Sequence, residues 1–135
     1  MIEVACWNRV PSAVRYTAID LFEARTAVDG PGVSIKKAHR LLSATGARIR
    51  LVPGDPFIGL AEAANTLGQV DLIVVSSRLD PRALARAWFY VPRLLHLRSQ
   101  VFLETSKPAG RQSIRLLDRS EINDLVIAAT VRKAA

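Results

Sequence analysis

Three short apolar runs constrain this chain more than any other feature. Tyr16-Thr17-Ala18-Ile19-Asp20-Leu21-Phe22-Glu23, Leu51-Val52-Pro53-Gly54-Asp55-Pro56 and Asp71-Leu72-Ile73-Val74-Val75-Ser76-Ser77 are rich in β-branched or aromatic residues. Each ends in acidic or small polar residues, and each is followed by a helix-like segment. Strands that are apolar along their length and alternate with helices predict an α/β protein with a largely parallel sheet. In such sheets ligands bind at the carboxyl ends of the strands, so the acidic strand ends fall where a nucleoside-type ligand would lie.

The pattern resolves into elements. A strand is expected over 14–21, followed by a loop over 26–32 dense in turn formers. Ser34 can cap the next helix, whose apolar face is Ile35, Ala38, Leu41 and Leu42, and Gly46 can stop it. A second strand is expected over 47–52. Asp55-Pro56 is a helix start, because a carboxylate caps the free N–H groups and proline is tolerated in the first turn. The buried stripe there is Leu60, Ala63, Ala64 and Leu67, ended by Gly68. A third strand is expected over 70–75, and Asp80-Pro81 repeats the start signal for a helix with Leu84, Ala87, Trp88 and Val91 on one face. Pro92 should kink or end that helix. A fourth strand is expected over 100–105, a turn over 107–110, and an antiparallel pair over 114–117 and 125–129. A strand over 2–6 beside 14–21 would leave only 7–13 as its connection, too short for a parallel crossover. Residues 1–7 therefore read as the end of a helix, with Ile2, Ala5 and Cys6 on one face.

The 135 residues suffice for one domain, 1–135, with a real core. No apolar run approaches the roughly 20 residues that span a bilayer. The early acidic residue Glu3 argues against a secretory leader, and a lone cysteine excludes an internal disulfide. A cytoplasmic setting is the expectation, without membrane partners. The net charge is +7, but the basic residues are spread along the chain, with no dense run and no aromatic–basic interleaving. Nucleic-acid binding is therefore disfavoured from the sequence.

This order of elements resembles the class I S-adenosylmethionine-dependent methyltransferases, from about Arg15 to Glu104. That resemblance implies a Rossmann-like three-layer sandwich with a mostly parallel sheet, and S-adenosylmethionine as cofactor. By the same resemblance, Asp20 at its strand end binds the ribose hydroxyls, with Glu23 as a substitute. Asp55 in Pro53-Gly54-Asp55-Pro56 lies near the adenine, with Phe57 as a wall for the ring. Asp71 opens the next strand, and Ser76 and Ser77 lie where the family holds its methyl acceptor, whose identity is open. The strand Val101-Phe102-Leu103-Glu104 also matches. The family's glycine-rich loop is missing, since no glycine precedes Tyr16. The chain then reads as an N-terminally shortened or degenerate member. A missing strand would expose a sheet edge that a homodimer can cover. The alternative to an enzyme is an inactive Rossmann-like module that dimerises or binds a partner, with RNA binding behind it.

Each candidate residue also has a purely structural reading. Asp20 can be a loop or cap residue, Asp55 a helix cap, and Asp71 an exposed turn residue. Ser76 and Ser77 have no histidine nearby and no glycine–serine elbow, so they do not read as nucleophiles. His39 and His96 are isolated, and no metal-ligand spacing is visible. Trp88, Phe89 and Tyr90 read as core, and Arg78, Arg82 and Arg86 as a solvated helix face.

Overall fold

The computed structural model describes residues 10–134. The expected helix over 1–7, with Cys6, lies outside the described residues. The chain is mixed α/β and divides into two compact units, Met1–Asp55 and Pro56–Ala135.

In the first unit a 3-10 turn, Pro11–Ala13, leads into β1 (Arg15–Asp20). The loop and α1 (Ile35–Ser43) then return the chain to β2 (Arg48–Pro53), and the two strands pair in parallel from Arg15 opposite Arg48 to Asp20 opposite Pro53. α1 starts where its free N–H groups find acceptors. Ser34 Oγ accepts from Lys37 N–H at 3.2 Å, and Glu23 Oε1 accepts from Ile35 N–H at 2.8 Å. Gly46 follows with φ of 81°, a left-handed conformation in which a side chain would be strained. A Cβ there would also stand 3.0 Å from Pro11 Cβ.

The second unit holds α2 (Pro56–Thr66), β3 (Val70–Val75), α3 (Pro81–Ala87), a 3-10 segment over Trp88–Leu94, β4 (Leu95–Ser106), β5 (Gln112–Leu116) and α4 (Arg119–Ala134). Its sheet has the order β3-β4-β5, parallel between β3 and β4 and antiparallel between β4 and β5. Asp80 caps α3 as expected, its carboxylate accepting from Arg82 N–H at 3.3 Å and Ala83 N–H at 3.1 Å. The helix tightens to 3-10 at Trp88, and Pro92 lies inside that tighter stretch.

Register decides which side chains share a face. Ile73 and Val75 of β3 and Val101 and Leu103 of β4 pair across the sheet and face the helices. There they join Trp88, Val91, Leu117, Ile122 and Ala129 in one core. The alternate residues form the other face, where Val74, Phe102 and Leu116 align in a row. Leu72 and Val74 remain 41% exposed, Ile114 55% and Leu116 50%. Within its own unit this sheet is thus covered on one face by helices, while its other face carries the apolar side chains of Leu72, Val74, Ile114 and Leu116.

Two expectations are corrected. Residues 125–129 are not a strand but the middle of α4, so the antiparallel pair is β4 with β5. Asp118 and Glu121 form a reciprocal capping box that outweighs the β-branched composition. Asp118 Oδ1 accepts from Glu121 N–H at 2.8 Å, and Glu121 Oε2 accepts from Asp118 N–H at 3.0 Å. Ile122, Leu125, Val126 and Ala129 then fall at helical spacing against the core. Further, β4 begins at Leu95 rather than 100. Its ladder with β3 slips between Val70, opposite Leu95, and Leu72, opposite Gln100. Ser99 stitches this bulge: its hydroxyl donates to Val70 O at 2.6 Å and accepts from His96 N–H at 2.8 Å. Leu97, at the turn of the bulge, is 99% exposed.

Candidate functional site

β1 and β2 run in parallel, so their carboxyl ends bring Asp20 and Gly54 together. Gly54 N–H donates to Asp20 O at 2.9 Å, and its φ of 144° is a conformation reserved for glycine. The Asp20 carboxylate is engaged by its own loop. Oδ1 accepts from Leu21 N–H at 2.8 Å and from Arg25 Nη2, and Oδ2 accepts from Arg25 Nε at 3.3 Å. Arg25 Nη1 donates on to Asp29 O at 2.9 Å. The side chains of Arg25 and Asp20 are only 16% and 29% exposed. Thr26 closes the loop, its N–H and hydroxyl both donating to Asp29 Oδ2 at 2.8 Å, which holds the Asp29 carboxyl below its ordinary range. Phe22 is buried here with φ of 48°, an uncommon conformation for a bulky residue that the packing of its ring offsets. The β1–α1 loop is therefore a braced structure, with Asp20 as one of its anchors and Glu23 as a cap for α1. Asp55 stands immediately before Pro56, the first residue of α2, as the helix-start signal requires.

In the second unit the carboxyl ends of β3 and β4 bring Ser76 and Ser77 onto Glu104. Glu104 Oε2 accepts from Ser76 Oγ at 3.0 Å, Ser77 N–H at 3.1 Å and Ser77 Oγ at 3.4 Å. Ser106 Oγ donates to Ser77 Oγ at 3.0 Å, and Ser76 Oγ accepts from Arg78 N–H at 3.3 Å. The Ser77 N–H, then the Ser76 hydroxyl, hold the Glu104 carboxyl below the usual glutamate value. An ionised Glu104 keeps acceptor capacity on Oε1. The cluster sits at the end of that apolar face, since Glu104 pairs with Ile114 on that side. Its chemistry is hydrogen bonding and charge, with no histidine in the network to act as a base for either serine.

Phe57 is the second residue of α2. The guanidinium of Arg86 lies 4.0 Å from its ring centre, and Tyr90 packs against it at 5.5 Å between centroids. Asp71 is exposed and meets His96 Nε2 at 2.9 Å, at the opposite end of β3 from the serines. His39 shares a hydrogen bond with Ser43 on α1. Trp88 is core as expected, while Phe89 and Tyr90 are half-buried. Two open grooves, of about 460 and 660 Å³, flank Leu95 and Arg119 at the amino end of β4 rather than at the strand ends that carry the candidate residues.

Sequence reasoning singled out Ser76 and Ser77 but not the role of Glu104, nor Arg25 as the partner of Asp20. The usable signals were a carboxylate closing the apolar run 101–103 and an arginine five residues after a strand-end aspartate. Among the described residues no three histidine, cysteine or acidic side chains gather as a metal site, and no helix is long and apolar enough to cross a membrane. No family model, curated protein or solved structure matches the chain.

Proposed function

We propose that the chain is a methyltransferase-like α/β protein, built as a Rossmann-like three-layer sandwich, that uses S-adenosylmethionine to methylate an acceptor. The observation that carries this reading is the Ser76–Ser77–Glu104 cluster at the carboxyl ends of two adjacent parallel strands, the place where such sheets hold ligands. The residues fit the cofactor in one specific respect. An ionised carboxylate offers about four acceptor positions, and Asp20 has three filled by Leu21 and Arg25. One position on Oδ2 is left for a ribose hydroxyl, and Glu23 Oε2 is a second acceptor close in sequence. Gly54, Asp55 and Phe57 are assigned to the adenine end by the resemblance.

The cofactor supplies a methyl group activated on a positively charged sulfur. The chain's own residues contribute orientation and charge. Ser76 and Ser77 present hydroxyls that can fix a polar acceptor, and Glu104 holds those hydroxyls in place. Fixing two reactants in one geometry removes the entropy of a bimolecular encounter, which is the main contribution a protein makes to this reaction.

Calorimetric titration of S-adenosylhomocysteine into the folded chain tests this reading. The expected result is a Kd of roughly 100 μM or tighter, about −5.5 kcal/mol, weakened by Asp20→Ala. No heat from a folded chain refutes it. A second reading, a non-enzymatic module that dimerises through its open sheet, is favoured by the exposed Leu72, Val74, Ile114 and Leu116. Sedimentation analysis separates the two: a dimer dissociated by Val74→Lys, together with no cofactor binding, supports the module.

A further inference from the structure

The sequence scatters its arginines, but the second unit gathers three cations on three aromatic rings. Phe57 of α2 and Tyr90 of the 3-10 segment pack at 5.5 Å, and Phe89 meets Tyr90 edge-on at 5.1 Å. Arg86 lies over Phe57 at 4.0 Å, and Arg93 approaches Tyr90 at 6.0 Å. Lys133, from the far end of α4, lies 3.8 Å from the centre of Phe89 and 5.7 Å from that of Tyr90. The rings are half-buried and the three cations are exposed.

Among the described residues Arg86, Arg93 and Lys133 make no ion pair with a carboxylate. The rings draw cations to their negative faces, which offsets part of the repulsion between them. They do not neutralise them, so three positive charges are left for an external anion. Arg82, one turn before Arg86 on α3 and exposed, extends the patch. The chain as a whole carries +7.

We propose that Arg86, Arg93 and Lys133, with Phe57, Phe89 and Tyr90, form a binding surface for single-stranded nucleic acid. The cations meet phosphates, and Tyr90, whose nearest cations stand 5.7 and 6.0 Å from its ring centre, is the ring on which an unpaired base stacks. An acidic peptide satisfies the charges but has no use for the rings. Duplex nucleic acid keeps its bases stacked within the helix and out of the rings' reach. The proposal shares Phe57 with the methyltransferase reading and uses none of the other residues assigned there to cofactor or acceptor.

Fluorescence anisotropy with fluorescein-labelled 20-nucleotide oligo-U and oligo-dT, at 50 and 200 mM salt, tests it. Three phosphate contacts on a single strand give a log–log salt slope of about −2, so affinity should fall roughly 16-fold between those concentrations. Arg86→Gln with Arg93→Gln and Lys133→Gln should weaken binding at least tenfold and remove most of that slope. Lys36→Gln with Lys37→Gln and Arg40→Gln changes net charge equally at exposed positions of α1 and should cost far less. Tyr90→Leu should weaken binding by about tenfold through lost stacking. Circular dichroism and a thermal melt establish that each variant is folded. Absence of binding at 50 mM salt overturns the proposal, as does equal weakening by the two triple variants. Equal affinity for polyglutamate, for a duplex of the same length, or for phosphatidylserine vesicles also overturns it, in favour of a general polyanion surface.

Discussion

Arg25→Ala should destabilise the first unit by about 2 kcal/mol. The side chain donates through Nε and Nη2 to Asp20 and through Nη1 to Asp29 O. Removing one member of a fully buried pair costs about 3–5 kcal/mol, whereas an exposed pair is worth about 0.2–1 kcal/mol. With side-chain exposures of 16% and 29% the pair lies between these limits, because water can reach the Asp20 carboxylate once the guanidinium is gone. For a urea m-value of about 2 kcal/mol per molar, the unfolding midpoint should fall by about 1 M. Arg25→Lys keeps the charge but not the fork, and should recover less than half of the loss. A double-mutant cycle with Asp20→Ala isolates the pair and should give a coupling of about 1 kcal/mol or more. A midpoint shift below about 0.2 M, or strict additivity in the cycle, would refute the brace and leave Asp20 free for a ligand.

Other perturbations probe the second unit. Leu94 is 2% exposed, so Leu94→Ala should cost about 2–5 kcal/mol in thermal or urea unfolding; a loss under 1 kcal/mol would mean that the core there is loosely packed. Ser99→Ala strands Val70 O and His96 N–H at the β4 bulge and should cost about 1–3 kcal/mol. An unchanged midpoint would show that water replaces the hydroxyl. The Glu104 carboxyl is held below its ordinary value in the folded protein, so the unfolded chain takes up the proton more readily. Its stabilisation is complete above the unfolded value of about 4.5 and is lost as pH falls below it. Glu104→Gln should therefore flatten the fall in stability between about pH 5 and 3; parallel pH curves for the two proteins would disprove this.

Much of the fold was readable because local signals agreed with one another. The apolar runs 70–75 and 47–52 are strands within a residue of expectation, since β-branched residues between turn formers have few alternatives. Ser34 and the Asp80-Pro81 pair mark helix starts through hydrogen bonds that are local in sequence. Residues 125–129 were misread because composition was weighed over spacing; the Asp118–Glu121 box was present in the sequence and names the helix. The early start of β4 was hidden, because residues 95–99 enter the strand through a bulge held by contacts with Val70 and Arg119.

The candidate sites divide in the same way. Composition and spacing determined that Asp20, Asp55, Ser76 and Ser77 stand at or just beyond strand ends, because chain direction and strand length are local properties. Only the tertiary structure decided what those groups do with their charge. Arg25 claims Asp20, Glu104 claims both serines across the parallel ladder, and Lys133 reaches Phe89 from a residue 44 positions away in sequence. Hydrogen bonding and charge act over a few ångströms of space whatever the separation along the chain. Partners brought together by sheet register and helix packing therefore leave no pattern in the sequence from which to read them.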